Sequence, residues 1–95
     1  MKIINKEQRK IIQKMLEKYQ ATQMIIAIEE LSELQKEICK KLRNHNNINN
    51  ENIEEEVADA LIVIAQIIDY YELNTENIKK IIDQKLQRTK ERYLK

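Results

Sequence analysis

EEEVADALIVIAQII, residues 54–68, puts its acids first and then turns apolar on almost every side. Wound as a helix, it sets Ile53, Val57, Leu61, Ile64 and Ile68 on one face. Val63 lies beside Glu56 and Asp59 on the other. A helix that is apolar all round is a helix buried all round. Its longest apolar run, ALIVIAQII, is about half the roughly 20 residues that a membrane-spanning helix needs. The stretch therefore predicts a helix inside a protein assembly rather than in a bilayer. A thin bundle made by one short chain cannot cover it, so a subunit interface along this helix is expected.

Outward from that stretch the chain reads as all-α. It has 95 residues, of which 35% are charged, and Tyr is its only aromatic type. A chain of this size predicts one domain, residues 1–95, with a modest core. Three further helices fit. The first runs roughly from Lys6 to Lys18, with Asn5 as N-cap and Ile11, Ile12, Met15 and Leu16 as its stripe. The second runs from about Ala21 to Arg43, with Met24, Ile25, Ile28, Leu31, Leu34, Ile38 and Leu42 at spacings of three and four. The Asn-rich segment NHNNINN ends it. The apolar helix then starts near Ile53, with Asn52 and Glu55 resembling a capping box, and continues to about Glu72. A last helix, capped by Thr75 and ending near Leu94, carries Ile78, Ile81, Ile82 and Leu86 opposite many Lys and Arg residues. Short connections make antiparallel neighbours, hence a four-helix bundle.

Composition excludes several function classes. There is no Gly, so no P-loop or Rossmann phosphate loop can form, and turns needing positive φ are expected to use Asn or Asp. One cysteine, Cys39, rules out an internal disulfide and a thiolate metal cage. The net charge of +1 provides no field for nucleic acid or an anionic membrane. MKIINKEQRK has no signal-peptide pattern, and a cytoplasmic setting is expected.

What remains is carboxylate chemistry. In AIEELSELQKE, residues 27–37, Glu29, Glu30 and Glu33 share a sector about 100° wide, away from the main apolar stripe. Glu37 reads as solvent-facing. Glu56 and Asp59 stand one turn apart beside Val63, close to buried surface, where carboxylates need a counter-charge or a metal. Two acidic pairs on facing helices present the oxygen ligands that Mg²⁺ prefers. A solvated Glu-rich face is the plain alternative, and Glu54 and Glu55 are explained by the helix dipole alone. No Glu-x-x-His pair occurs, which disfavours a ferritin-like di-iron site.

EELSE at residues 29–33 followed by EVAD at residues 56–59 resembles the EExxE…ExxD signature of MazG-like all-α nucleoside triphosphate pyrophosphohydrolases. The flanks, MIIAIEELSELQKEICK and NIEEEVADALIVIAQI, are similar to the family's two motif helices, and KLQRTKER to the basic last helix of small phage-type members. The resemblance covers roughly residues 19–93. It implies a four-helix fold assembling as a homodimer or homotetramer, and Mg²⁺-dependent hydrolysis of a (d)NTP to a monophosphate and pyrophosphate, with Mn²⁺ as a substitute. It implies Glu30, Glu33, Glu56 and Asp59 as metal ligands. Glu29 would sit behind them, hold a further metal or, like Glu33, serve catalysis as a base for water.

Lys85, Arg88 and Arg92 resemble the family's phosphate-binding positions and lie at spacings of three and four; Lys79 is a weaker candidate. Gln23 and Ile26, on the acidic side of the second helix, are candidates for the base or ribose. Tyr70 and Tyr71 read as core more readily than as stacking partners, and His45 as a loop residue that could reach phosphate. Phosphoribosyl-ATP pyrophosphohydrolase, of the same superfamily, is the enzyme alternative. A non-catalytic helical module is the other.

Overall fold

The structure, a computed structural model, describes residues 3–43 and 50–94. Four helices follow one another: α1 (Lys6–Tyr19), α2 (Thr22–Arg43), α3 (Glu51–Tyr70) and α4 (Thr75–Tyr93). No strand occurs among the described residues, and no helix there is long and apolar enough to cross a membrane. The all-α expectation holds.

Local chemistry sets most helix ends. The Asn5 side chain accepts a 2.8 Å hydrogen bond from the Gln8 backbone N–H, and the Gln8 side chain accepts one of 2.9 Å from the Asn5 N–H. That is a capping box with Gln as its fourth residue. α3 begins at Glu51, so Asn52 lies within its first turn and does not cap it. Asn50 is the cap residue without capping, because its side-chain oxygen accepts a bond from Lys41 Nζ at the end of α2. α4 is capped by Asn74, not Thr75; Asn74 has the extended backbone of a cap, and its side chain accepts from the Asn77 N–H at 3.0 Å.

The turns correct a second expectation. Among the described residues, positive φ falls on Gln20 (φ 47°) and Glu72 (φ 52°), not on Asn or Asp; most of the Asn-rich segment, residues 44–49, lies outside them. After α3 the Leu73 N–H reaches Ile68 O at 2.9 Å, and the Glu72 N–H reaches Asp69 O at 3.3 Å. These are the two bonds of a Schellman motif, with Glu72 at the left-handed position where Gly is usual. The hydrogen bonds offset a steric cost of about 1–2 kcal/mol.

Packing is uneven. The α2–α3 pair is the main contact, and α1 lies across it, more on α3 than on α2. On α2 the buried and half-buried side chains are Gln23, Met24, Ala27, Glu30, Leu31, Leu34, Glu37 and Lys41, and all of these but Met24 and Leu31 follow one line at a three-four rhythm. On α3 they include Glu56, Asp59, Ala60, Val63, Gln66 and Ile67. This differs from the sequence reading. Of the apolar stripe of α2, Met24, Leu31 and Leu34 are half-buried, whereas Ile25, Ile28, Ile38 and Leu42 are exposed. On α3 the packed face is the one with Glu56, Asp59 and Val63, whereas Val57 and Ile64 stay exposed. Ala27 and Ala60 are among the most deeply buried residues of this seam.

α1 is tied to α3 by an ion pair: Arg9 donates to Asp69 Oδ1 at 2.8 Å, while Asp69 Oδ2 is buried without a partner. The hydrogen bond and then the charge of Asp69 hold the Arg9 proton more tightly than usual. α4 makes no extended packing with the other three helices. Ile81, Ile82 and Leu86 are exposed, so one chain does not close the expected four-helix bundle.

The Schellman position gives a direct test. Glu72→Val should lower stability by about 1–2 kcal/mol in urea denaturation, because a β-branched side chain is disfavoured at positive φ. Glu72→Gly should change it by less than about 0.5 kcal/mol, as relief of the steric cost is offset by a more flexible unfolded chain. Equal losses for both would contradict a left-handed Glu72.

Candidate functional site

α2 and α3 carry their acids into the same seam because each places them at the spacing of its packed face. Glu30 follows Gln23 and Ala27 on the inward side of α2, and Glu56 and Asp59 precede Ala60 and Val63 on that of α3. One carboxylate oxygen from each of Glu30, Glu56 and Asp59 lies within 4.8 Å of the other two. All three residues are half-buried. Glu56 Oε2 is buried and has no hydrogen-bond partner among the described residues.

Glu30 and Glu56 hold their protons more tightly than an ordinary carboxyl does. Burial pushes the Glu30 carboxyl above the usual range; the charge of Asp59, a hydrogen bond with Asp59, and the charges of Glu56 and Glu33 push it further. Burial also raises Glu56, followed by the charges of Asp59, Glu33, Glu37 and Glu55. Desolvation and like charge act in the same direction, and no Lys or Arg is among these influences. The arrangement has two ways to relieve itself: bind a proton or bind a cation.

Of the four expected ligands, three converge. Glu33 stands one turn along α2 with a half-exposed side chain, its Oε1 3.5 Å from Lys36 Nζ. It acts on Glu30 and Glu56 by charge without joining the trio. Glu29 is exposed. Glu37 corrects the sequence reading: its side chain is only 13% exposed, it pairs with Lys40 at 3.2 Å, and its charge reaches Glu56. The signal was present, since Glu37 follows Glu30 by two turns on the same face.

The remaining candidates scatter. Gln23 is buried, at 4% exposure, on the inward face two turns before Glu30; a base would have to open the seam to reach it. Ile26 is exposed. Sequence reasoning missed Gln66, which is buried with its side-chain oxygen unpartnered, one turn beyond Val63. A polar residue continuing the Glu56, Asp59, Val63 rhythm was the available sign.

Lys85, Arg88 and Arg92 are exposed on α4, and nothing in the chain's own packing brings them to the carboxylates. Lys79 is 3.3 Å from Glu76. Tyr70 and Tyr71 are not core residues; both are exposed, with their rings edge-to-face at 4.9 Å. His45 lies outside the described residues. Comparison of the chain with family models, curated proteins and solved structures returns no match.

The raised carboxyls predict an unusual pH response. A carboxyl whose folded pKa exceeds its unfolded value binds more protons when folded, over the interval between the two. Its contribution to stability is present below that interval and is lost as pH rises through it, starting from the ordinary value of 4.5. In cation-free buffer, wild-type Tm should therefore fall relative to Glu56→Gln as pH rises from there to neutrality. Parallel pH profiles of the two proteins would show that the seam does not concentrate charge.

Proposed function

We propose that this protein is a divalent-cation-dependent hydrolase of nucleoside triphosphates. Water would be added across the α–β phosphoanhydride, releasing a nucleoside monophosphate and pyrophosphate. The observation that carries this proposal is the convergence of Glu30, Glu56 and Asp59 around a buried, unpartnered Glu56 oxygen. The donor set fits Mg²⁺, or Mn²⁺ in its place, which takes carboxylate oxygens and leaves other positions to water and phosphate. The order of EELSE and EVAD adds the resemblance to MazG-like pyrophosphohydrolases.

The residues divide the work. Glu30, Glu56 and Asp59 would hold the cation, and Glu33 would join them by rotating away from Lys36. When bound, the cation neutralises the triphosphate and polarises the phosphoryl group that water attacks. Glu29, or Glu33 where it is not a ligand, would accept the proton of that water. Glu37 stays with Lys40 and tunes Glu56 through its charge. The pyrophosphate carries more charge than the site itself offsets. Lys85, Arg88 and Arg92 would supply the balancing positive charge from another subunit of the assembly, because α4 does not pack on its own α2–α3 pair. A homodimer or homotetramer is therefore part of the proposal.

The test is a panel of nucleoside triphosphates, including phosphoribosyl-ATP, incubated with Mg²⁺ and resolved into products. Monophosphate with pyrophosphate is expected, with loss of turnover on chelation. Diphosphate with phosphate, or no turnover of any nucleotide together with no metal binding by calorimetry, would overturn the proposal. Glu56→Gln and Asp59→Asn should each lower kcat by roughly 100-fold or more, as expected for groups that organise transition-state charge. Arg88→Ala should act mainly on KM.

A further inference from the structure

We propose that α4 of one copy of the chain packs into the groove between α1 and α3 of a second copy, which returns its own α4 in the same way. This rests on the oligomeric part of the function proposed above and not on its chemistry: the groove lies on the Val57 and Leu61 face of α3, opposite Glu56 and Asp59, so α4 seated there does not bring Lys85, Arg88 and Arg92 to that copy's carboxylates. Two unpartnered surfaces of the same chain lead to it. α4 carries Ile78, Ile81, Ile82 and Leu86 along one side, a row about 12 Å long. Ile82 is 51% exposed and Leu86 63%. The other surface is a groove of 490 Å³ lined by Ile3, Ile11, Ile12, Val57, Leu61 and Ile62, with Gln8 and Glu54 as its polar edge. A helix with an apolar row fits a trough between two helices by ridges and grooves, and it would complete the four-layer bundle that α1, α2 and α3 leave open.

The accessible area supports a second copy as the occupant. The chain exposes 8098 Å². A compact monomer of 11.4 kDa exposes about 5,800 Å². The excess is roughly 2,300 Å² per chain, the amount an obligate dimer removes from water rather than a transient partner. Reciprocal exchange would use both surfaces twice and close the interface on a two-fold axis, leaving neither row exposed. The Schellman turn at Glu72 supplies the geometry: it ends α3 with fixed hydrogen bonds and sends α4 away from its own helices.

Sedimentation of two double variants tests the pairing, with circular dichroism to confirm that helices persist. Ile82→Glu/Leu86→Glu disables the α4 row, and Ile11→Glu/Ile62→Glu disables the groove; all four side chains are exposed within the subunit. Wild type should sediment as a dimer or larger at micromolar concentration, and each variant alone as a monomer. An equimolar mixture should regain dimers, because an intact α4 of one variant meets the intact groove of the other. A monomeric wild type, variants that stay dimeric, or a mixture that stays monomeric would overturn the proposal; a groove variant that stays dimeric by itself would point to α4 pairing with α4.

A disulfide assay is independent of variant folding. In a Cys39→Ser background, Leu86→Cys and Ile62→Cys chains mixed under mild oxidation should form a mixed disulfide dimer. Exclusive Leu86→Cys self-linkage would refute it. Neither assay involves nucleotide, so failure here and failure of the proposed hydrolysis are read separately.

Discussion

Three carboxylates share the seam between α2 and α3, and the protein's character turns on what neutralises them. Glu30, Glu56 and Asp59 are half-buried among Leu34, Ala60 and Val63, where water screens poorly. Their mutual repulsion is a standing cost to the largest helix–helix contact in the chain. The residues that pack the helices are interleaved with those that repel, so the acids cannot swing apart without opening the seam. A cation held there would bind folded and unfolded chain very differently, linking occupancy to stability.

The same seam explains the surrounding acids. Glu33 stands beside the inward line of α2 and Glu37 lies on it, each near a lysine one turn on, Lys36 and Lys40. Those lysines keep the outer acids from adding fully to the central charge, yet both acids still raise Glu56. The result is a graded field, strongest at the buried Glu56 oxygen and weaker toward solvent. A multiply charged anion such as a triphosphate would meet that field as repulsion unless a cation came with it.

Away from the seam the chain is short of partners rather than of apolar residues. Among the described residues, the buried apolar side chains are Ile12, Ala27, Ala60 and Val63, while whole rows of isoleucine on α2 and α4 face outward. A chain of this size buries too little by itself to settle that imbalance. The acidic seam and the open apolar rows are thus connected: area spent on carboxylates inside the subunit leaves apolar area uncovered outside it.

The number of helices, their approximate bounds and the Asn5 cap were legible in residue type and spacing, because periodicity and capping are local. So was the placement of Glu56 and Asp59 beside buried Val63, since a helix apolar elsewhere leaves its acids few options. Which face of α2 meets α3 was not legible. Both its isoleucine stripe and its Gln23, Ala27, Glu30 line repeat at three and four, and only burial within the fold, nearly complete at Gln23 and Ala27, distinguishes the second. Glu37 goes inward with that line and the isoleucines outward. The positive φ at Gln20 and Glu72 was hidden because no Gly marked it. Sequence alone thus determined an all-helical chain with two acidic motifs. Tertiary structure decided which carboxylates converge, because convergence depends on the face each helix presents, and that choice is made between helices rather than within one.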